Sequence, residues 1–150
     1  MSELGIKIAA EVVKFVEAEV PYEHRGTSMF GCDCTGMIIG AMKKLGYFKT
    51  YKLRQYPKDW NLHAVAGDNI REELSKFAKE VRNGVILPGD VLVFKLKNCF
   101  AHAGVLVRDK TFAHCYVNAK KCKYGSLNTG TWASHWAATY RFDEVKLNHG

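Results

Sequence analysis

The sequence predicts an α+β domain with helices first and an antiparallel sheet second. Apolar residues recur at helical spacing in three segments of the first half. Runs of β-branched and aromatic residues, broken by turn residues, dominate the second half. Helices and strands that segregate along a chain, rather than alternate, indicate α+β. The chain has 150 residues, enough to bury one core. No linker, repeat or low-complexity stretch divides it, so residues 1–150 read as a single domain.

The first helix is predicted from about Ser2 to Val20. Ile8, Val12, Phe15, Val16 and Val20 form its apolar stripe, and Pro21 stops it. A loop rich in Gly and Ser follows, through Gly26, Ser28 and Gly31. A second helix is expected from near Asp33 to Gly46, with Lys43 and Lys44 in its last turn, where the dipole favours cations. Gly36 and Gly40 lie one turn apart on it and would admit the backbone of a neighbouring element. Residues 47–67 read as irregular. A third helix is predicted from about Asp68 to Val81, with Asn69 and Glu72 placed as a capping box and Asn83-Gly84 closing it. Leu87-Pro88-Gly89-Asp90 is then a turn into a strand, Val91 to Leu96. A second strand runs from His102 to Val107, and Arg108-Asp109-Lys110 turns it into a third, Thr111 to Val117. A last strand is expected within Ala137 to Val145.

Hydrophobic residues make up 47% and charged residues 25%, which excludes disordered, collagen-like and coiled-coil classes. No apolar run reaches the roughly 18 residues of a membrane span. Glu3, Lys7, Glu11, Lys14, Glu17 and Glu19 interrupt any secretory core near the N-terminus, so the chain is expected to be made in the cytoplasm without a signal peptide. Lys plus Arg is 22 and Asp plus Glu is 15, a net charge of +7 that favours polyanions such as nucleic acid or the carboxylates and phosphates of a cell wall. No recognition-helix or base-stacking motif accompanies the charge, so nucleic acid is not the expected partner. The densest cluster, Lys120-Lys121-Cys122-Lys123, reads as a solvated loop.

Five cysteines, an odd number without a secretory signal, do not read as a disulfide framework. A metal knuckle is not expected either. Cys32 and Cys34 are spaced C-x-C, and Cys115 and Cys122 read as too far apart to be a second pair. A Cys32–Cys34 disulfide would be sterically poor. The sharpest local feature is Gly31-Cys32-Asp33-Cys34-Thr35-Gly36 at a loop-to-helix junction. Cys34 falls in the first turn, where free N–H groups and the helix dipole stabilise a thiolate. A nucleophilic cysteine also needs a base. His102 opens one strand and His114 lies twelve positions on across a short hairpin, so His114 is placed to hold the His102 ring as the third member of a triad. Most lone cysteines and strand histidines are structural, and the pattern gains weight only as a constellation.

Several blocks in order then resemble a known family. Pro21-Tyr22, Asp33-Cys34-Thr35-Gly36, Pro88-Gly89-Asp90-Val91-Leu92-Val93-Phe94, His102-Ala103-Gly104-Val105 and His114 look like the NlpC/P60 cysteine peptidases, papain-like enzymes many of which hydrolyse the stem peptides of bacterial cell wall. Gly31-Cys32-Asp33-Cys34, Phe112-Ala113-His114-Cys115-Tyr116 and Tyr140-Arg141-Phe142 are similar to the phage members encoded among tail genes of siphophages and gene transfer agents. Two positions depart from the family pattern. Thr35 stands where serine is usual and keeps the hydroxyl, and Arg25 stands where wall peptidases tend to have an aromatic residue and glycine.

The resemblance implies roles. Cys34 is the nucleophile, His102 the general base and then acid, and His114 the orienting residue. Tyr22 lines the site and donates to the oxyanion, and Asp33 holds the free amine of the stem peptide. No cofactor or metal is implied. The expected substrate is a peptidoglycan stem, the expected partners are phage tail-tip or hub proteins, and the expected location is the virion tail. The rival expectations are a structural tail protein with a vestigial site and an amidase or acyltransferase of the same superfamily.

Overall fold

The computed structural model describes residues 2–48, 69–96, 99–128 and 130–149. Helix α1 spans Glu3–Glu17. The Ser2 hydroxyl caps it by accepting the Gly5 N–H at 3.0 Å. Leu4, Ile8, Val12, Phe15 and Val16 form its buried side. It ends before the expected Val20, and the cause is local. Glu19 takes a left-handed φ of 51°, so its N–H bonds the Val16 carbonyl and the Val20 N–H bonds the Phe15 carbonyl. That pair of bonds closes a helix end, usually with glycine at the turning position.

The segment read as a loop contains a small hairpin, β1 (Thr27–Ser28) and β2 (Gly31–Cys32). Helix α2 (Cys34–Lys44) follows directly, and Asp33 caps it by accepting the Gly36 N–H at 2.8 Å. The glycines of α2 are used as expected. A Cβ on Gly36 would stand 1.7 Å from the Gly26 carbonyl oxygen, and one on Gly40 would stand 2.5 Å from that of Thr27. Of the irregular segment expected over 47–67, residues 49–67 lie outside the described residues, as do Asp68 and the Asn69 side chain of the expected capping box.

Helix α3 (Asn69–Phe77) is shorter than predicted. Ala78 to Glu80, expected in its last turn, instead form strand β3, which pairs antiparallel with Tyr140 to Phe142. The Val81 N–H continues that pairing to the Thr139 carbonyl at 2.8 Å. A weak local helix preference has yielded to sheet pairing. The sheet is completed by β4 (Val91–Leu96), β5 (Cys99–Arg108), β6 (Thr111–Tyr116), β7 (Lys121–Ser126) and β8 (Trp136–Phe142). Its order is β3-β8-β4-β5-β6-β7, antiparallel throughout. The last predicted strand ends at Phe142, and the chain beyond it turns into helix α5 (Glu144–His149). Helix α4 (Gly130–His135) was not foreseen. The lysine cluster is corrected as well: Lys121 to Lys123 belong to β7, register-paired with His114 to Tyr116.

Both faces of the sheet are buried. Val91, Val93, Ala103, Val105, Ala113 and Cys115 join the helices in the main core. Leu92, Phe94, Leu106, Phe112 and Leu127 form a second core, with Trp132 of α4 and Trp136 packed against it. This double burial is why β4 reads as a continuous apolar run rather than an alternation. The turn before β4 carries a buried ion pair. Asp90, 1% exposed, receives two bonds of 2.8 Å from the Arg141 guanidinium and one from the Leu87 N–H.

Candidate active site

Cys34 opens α2, and its side chain is buried. The backbone N–H groups of Cys34 itself, of Thr35 and of Ala103 on β5 lie near its sulfur and favour the thiolate. The first two come from the helix N-terminus, as the sequence implied. The third lies on the helix-facing side of the sheet. His102, the residue before it, packs with Phe94 and Trp132 of the second core. Helix α2 thus meets β5 at Ala103, with no bond from the Cys34 sulfur to the His102 ring among the described residues. The Asp33 carboxylate fixes this junction from two sides, taking the Gly36 N–H on Oδ1 and the Arg25 N–H on Oδ2 at 2.9 Å. Arg25, the departure from the family pattern, stands in the left-handed region with φ 65°. The Thr35 hydroxyl donates to Asp33 Oδ1 at 3.3 Å.

The hairpin of β5 and β6 brings His102 and His114 together. His102 Nε2 and His114 Nδ1 are 2.8 Å apart, and the rings meet edge to face. Both histidines are buried. For His102 Nδ1 to face the thiol as an acceptor, the ring must carry its proton on Nε2 and donate it to His114 Nδ1. Trp132 packs on both rings, with centroids 5.2 Å from His102 and 5.0 Å from His114. Phe94 and Tyr116 pack around His102.

The electrostatics correct one sequence-based expectation. The helix N-terminus was expected to depress the Cys34 pKa, but burial first and the Asp33 charge second push it up to about 12. Burial, then His114, holds His102 well below the ordinary imidazole value. His114 is lowered to about 4 by burial and by the charge of Lys123. The resting site is therefore a neutral thiol with a neutral imidazole pair. Tyr22 is half-buried nearby; burial first and the Asp33 charge second raise its phenol to about 12, so it remains a donor.

The expectation that Cys115 and Cys122 lie too far apart is also corrected. A tight turn follows β6, and the two residues face each other in the β6–β7 register. Cys32 joins them, its sulfur 3.4 Å from that of Cys122. Cys32, Cys34, Cys115 and Cys122 are all free thiols. A groove of about 770 Å³ opens beside His114, lined by Tyr116, Asn118, Lys123, Tyr124 and Trp132 among others. Sequence reasoning missed Trp132 and Tyr116, which build the wall of the histidine pair. The aromatic residue after Gly130-Thr131, in α4, was the available signal.

The family model of NlpC/P60 matches residues 19–141. The chain belongs to the NlpC/P60 family. Solved structures with the NlpC/P60 fold superpose on it closely. NlpC2 from Trichomonas vaginalis aligns with TM-score 0.68 at 19% identity, covering 95% of this chain and 48% of that one. An NlpC/P60 family protein from Bacillus cereus aligns with TM-score 0.63 at 22% identity, covering 89% and 40%. RipB from Mycobacterium tuberculosis, described as a peptidoglycan hydrolase, aligns with TM-score 0.58 at 13% identity, covering 94% and 67%. This NlpC/P60 domain thus spans less than half the length of the first two. A comparison with curated protein sequences finds no match. No helix among the described residues is long and apolar enough to cross a membrane.

Proposed function

We propose that this NlpC/P60 domain is a cysteine peptidase that cleaves a peptide bond in the stem peptides of bacterial peptidoglycan. The observations that carry the reading are the 2.8 Å His102–His114 contact on the β5–β6 hairpin and Cys34 in the first turn of α2, beside the N–H of Ala103, the next residue of β5 after His102. His102 Nδ1 takes the thiol proton as Cys34 Sγ attacks the scissile carbonyl. The imidazolium that forms is stabilised by the His114 acceptor. The Cys34 N–H and the Tyr22 hydroxyl donate to the oxyanion. Collapse of the tetrahedral intermediate expels the amine, which takes its proton from His102. Water then hydrolyses the thioester with His102 again as base, returning the thiol.

The groove beside His114 supports an anionic peptide substrate, because Lys123 supplies a cation and Tyr116, Tyr124 and Trp132 supply apolar walls. The Asp33 charge beside Cys34 suits the free amine of a stem peptide. The tail-gene resemblance of the segments around Cys34 and His114 supports local wall digestion by a phage or gene-transfer-agent tail, with tail-tip or hub proteins as neighbours.

The test is digestion of purified sacculi followed by mass spectrometry of the soluble products. The expected result is muropeptides with a new amine terminus from the wild type and none from Cys34→Ala. Equal release by both proteins would overturn the mechanism. Release from neither, with small amide or ester substrates turned over instead, would favour an amidase or acyltransferase. Mass spectrometry of purified virions tests the tail assignment.

A further inference from the structure

We propose that Cys32, Cys115 and Cys122 form a buried three-sulfur site for a soft monovalent ion, Cu(I). The three side chains come from three separate elements, β2, β6 and β7. Their sulfur atoms all lie within 4.8 Å of one another, and those of Cys32 and Cys122 are 3.4 Å apart. Three sulfurs bonded to one ion at about 2.3 Å stand about 4 Å from each other, so the trio needs only small side-chain shifts to close on an ion. None of the three is more than 1% exposed.

The donor set selects the ion. No His, Asp or Glu side chain joins the trio among the described residues. Structural zinc sites take four ligands in a tetrahedron, and this one offers three side-chain donors in an apolar core. Thiolate-only sets of low coordination number suit Cu(I). Binding moves no electrons: the ion replaces S–H protons, which leave to solvent. The proton that Cys115 donates to the Cys32 carbonyl at 3.1 Å is among them. That carbonyl is not left unpaired, because it also accepts the Glu23 N–H at 2.9 Å. A bound ion would tie strand β2, which leads directly into Cys34 at the start of α2, to the β6–β7 hairpin. This site is independent of the peptidase reading and leaves the Cys34 sulfur unused.

The experiment uses the reduced full chain carrying Cys34→Ser and Cys99→Ser, so that the trio are its only cysteines. It is titrated without oxygen with the acetonitrile complex of Cu(I) against a chromophoric Cu(I) chelator. The expected result is one copper per chain, a first shell of three sulfurs by X-ray absorption, and a melting temperature raised by several degrees. Cys115→Ser and Cys122→Ala should each weaken binding at least about a hundredfold. A shell of two sulfurs, a shell containing nitrogen or oxygen, or no copper retained against the chelator would overturn the proposal. So would Zn(II) binding that outcompetes Cu(I). If either variant fails to fold by circular dichroism, the sulfur count of the parent protein decides alone.

Discussion

His102 Nε2 and His114 Nδ1 meet at 2.8 Å inside the sheet, each ring buried and both packed under Trp132. One ring therefore orients the other, and in the proposed mechanism His102 donates and His114 accepts. Replacing His114 by Gln retains an acceptor, so kcat on a stem peptide should stay within about tenfold of wild type. His114→Ala leaves a buried N–H without a partner and should lower kcat by about a hundredfold or more. Steady-state kinetics on both variants checks this; an unchanged His114→Ala enzyme would make His114 structural.

Acid should act on stability before it acts on chemistry. Both histidines are neutral in the native state, with values lowered by burial, while in the unfolded chain they titrate near the ordinary 6.5. His114 and Lys123 are the charged or titratable neighbours that add to the effect. Below that unfolded value the unfolded state binds more protons, so stability is full above about pH 6.5 and declines as pH falls toward the native values. Each histidine contributes up to about 1.4 kcal/mol per pH unit in that window. Urea unfolding between pH 7 and 4.5, as an order-of-magnitude window around the ordinary imidazole value, should show the decline. His102→Asn should flatten it. Over the same range kcat of the folded enzyme should hold, because His102 is still able to accept a proton.

The approach of Gly36 to the Gly26 carbonyl leaves no space for a methyl group. Gly36→Ala should push the start of α2 aside, destabilise the protein by about 1–3 kcal/mol and lower kcat/KM about a hundredfold. Gly130→Ala is the matched control. A Cβ there has nothing within 4 Å, so stability should change by less than about 0.5 kcal/mol.

The Asp90–Arg141 pair should matter more than the surface ion pairs. Arg141→Ala strands a carboxylate that is 1% exposed, and the expected loss is about 3 kcal/mol in urea unfolding. Lys7→Ala, which breaks an exposed pair with Glu3, should cost less than about 0.5 kcal/mol.

The parts of the site that were legible in the sequence are those set by local geometry. Asp33 caps a helix, so Cys34 had to stand in its first turn. A short turn joins two strands, with only Asp109 and Lys110 between them because Arg108, read as part of the turn, ends β5, so His102 and His114 had to share a hairpin. What was not legible depends on contacts distant in sequence. The Cys32 and Cys115 contact spans 83 positions, and no spacing rule connects them. The raised Cys34 pKa follows from burial by the folded core, which outweighs the helix terminus that the sequence does reveal. Ala78 to Glu80 carry a weak helical preference, and only the presence of β8 alongside turns them into a strand.

The course of the chain between α1 and β2 has a consequence for how the molecule behaves in a crowd. Val20 to Tyr22 run along β7 and bond it directly, with the Cys122 N–H on the Val20 carbonyl and the Tyr22 N–H on the Lys120 carbonyl, both at 2.8 Å. The start of β7, at Lys121 and Cys122, is thus covered by the protein's own backbone. At the opposite margin β3 is three residues long and carries Lys79 and Glu80. Short, charged or covered margins deny a second chain the ladder on which strands polymerise. Among the described residues, the covered start of β7 and the three-residue β3 thus shorten the strand edge left for a second chain to join.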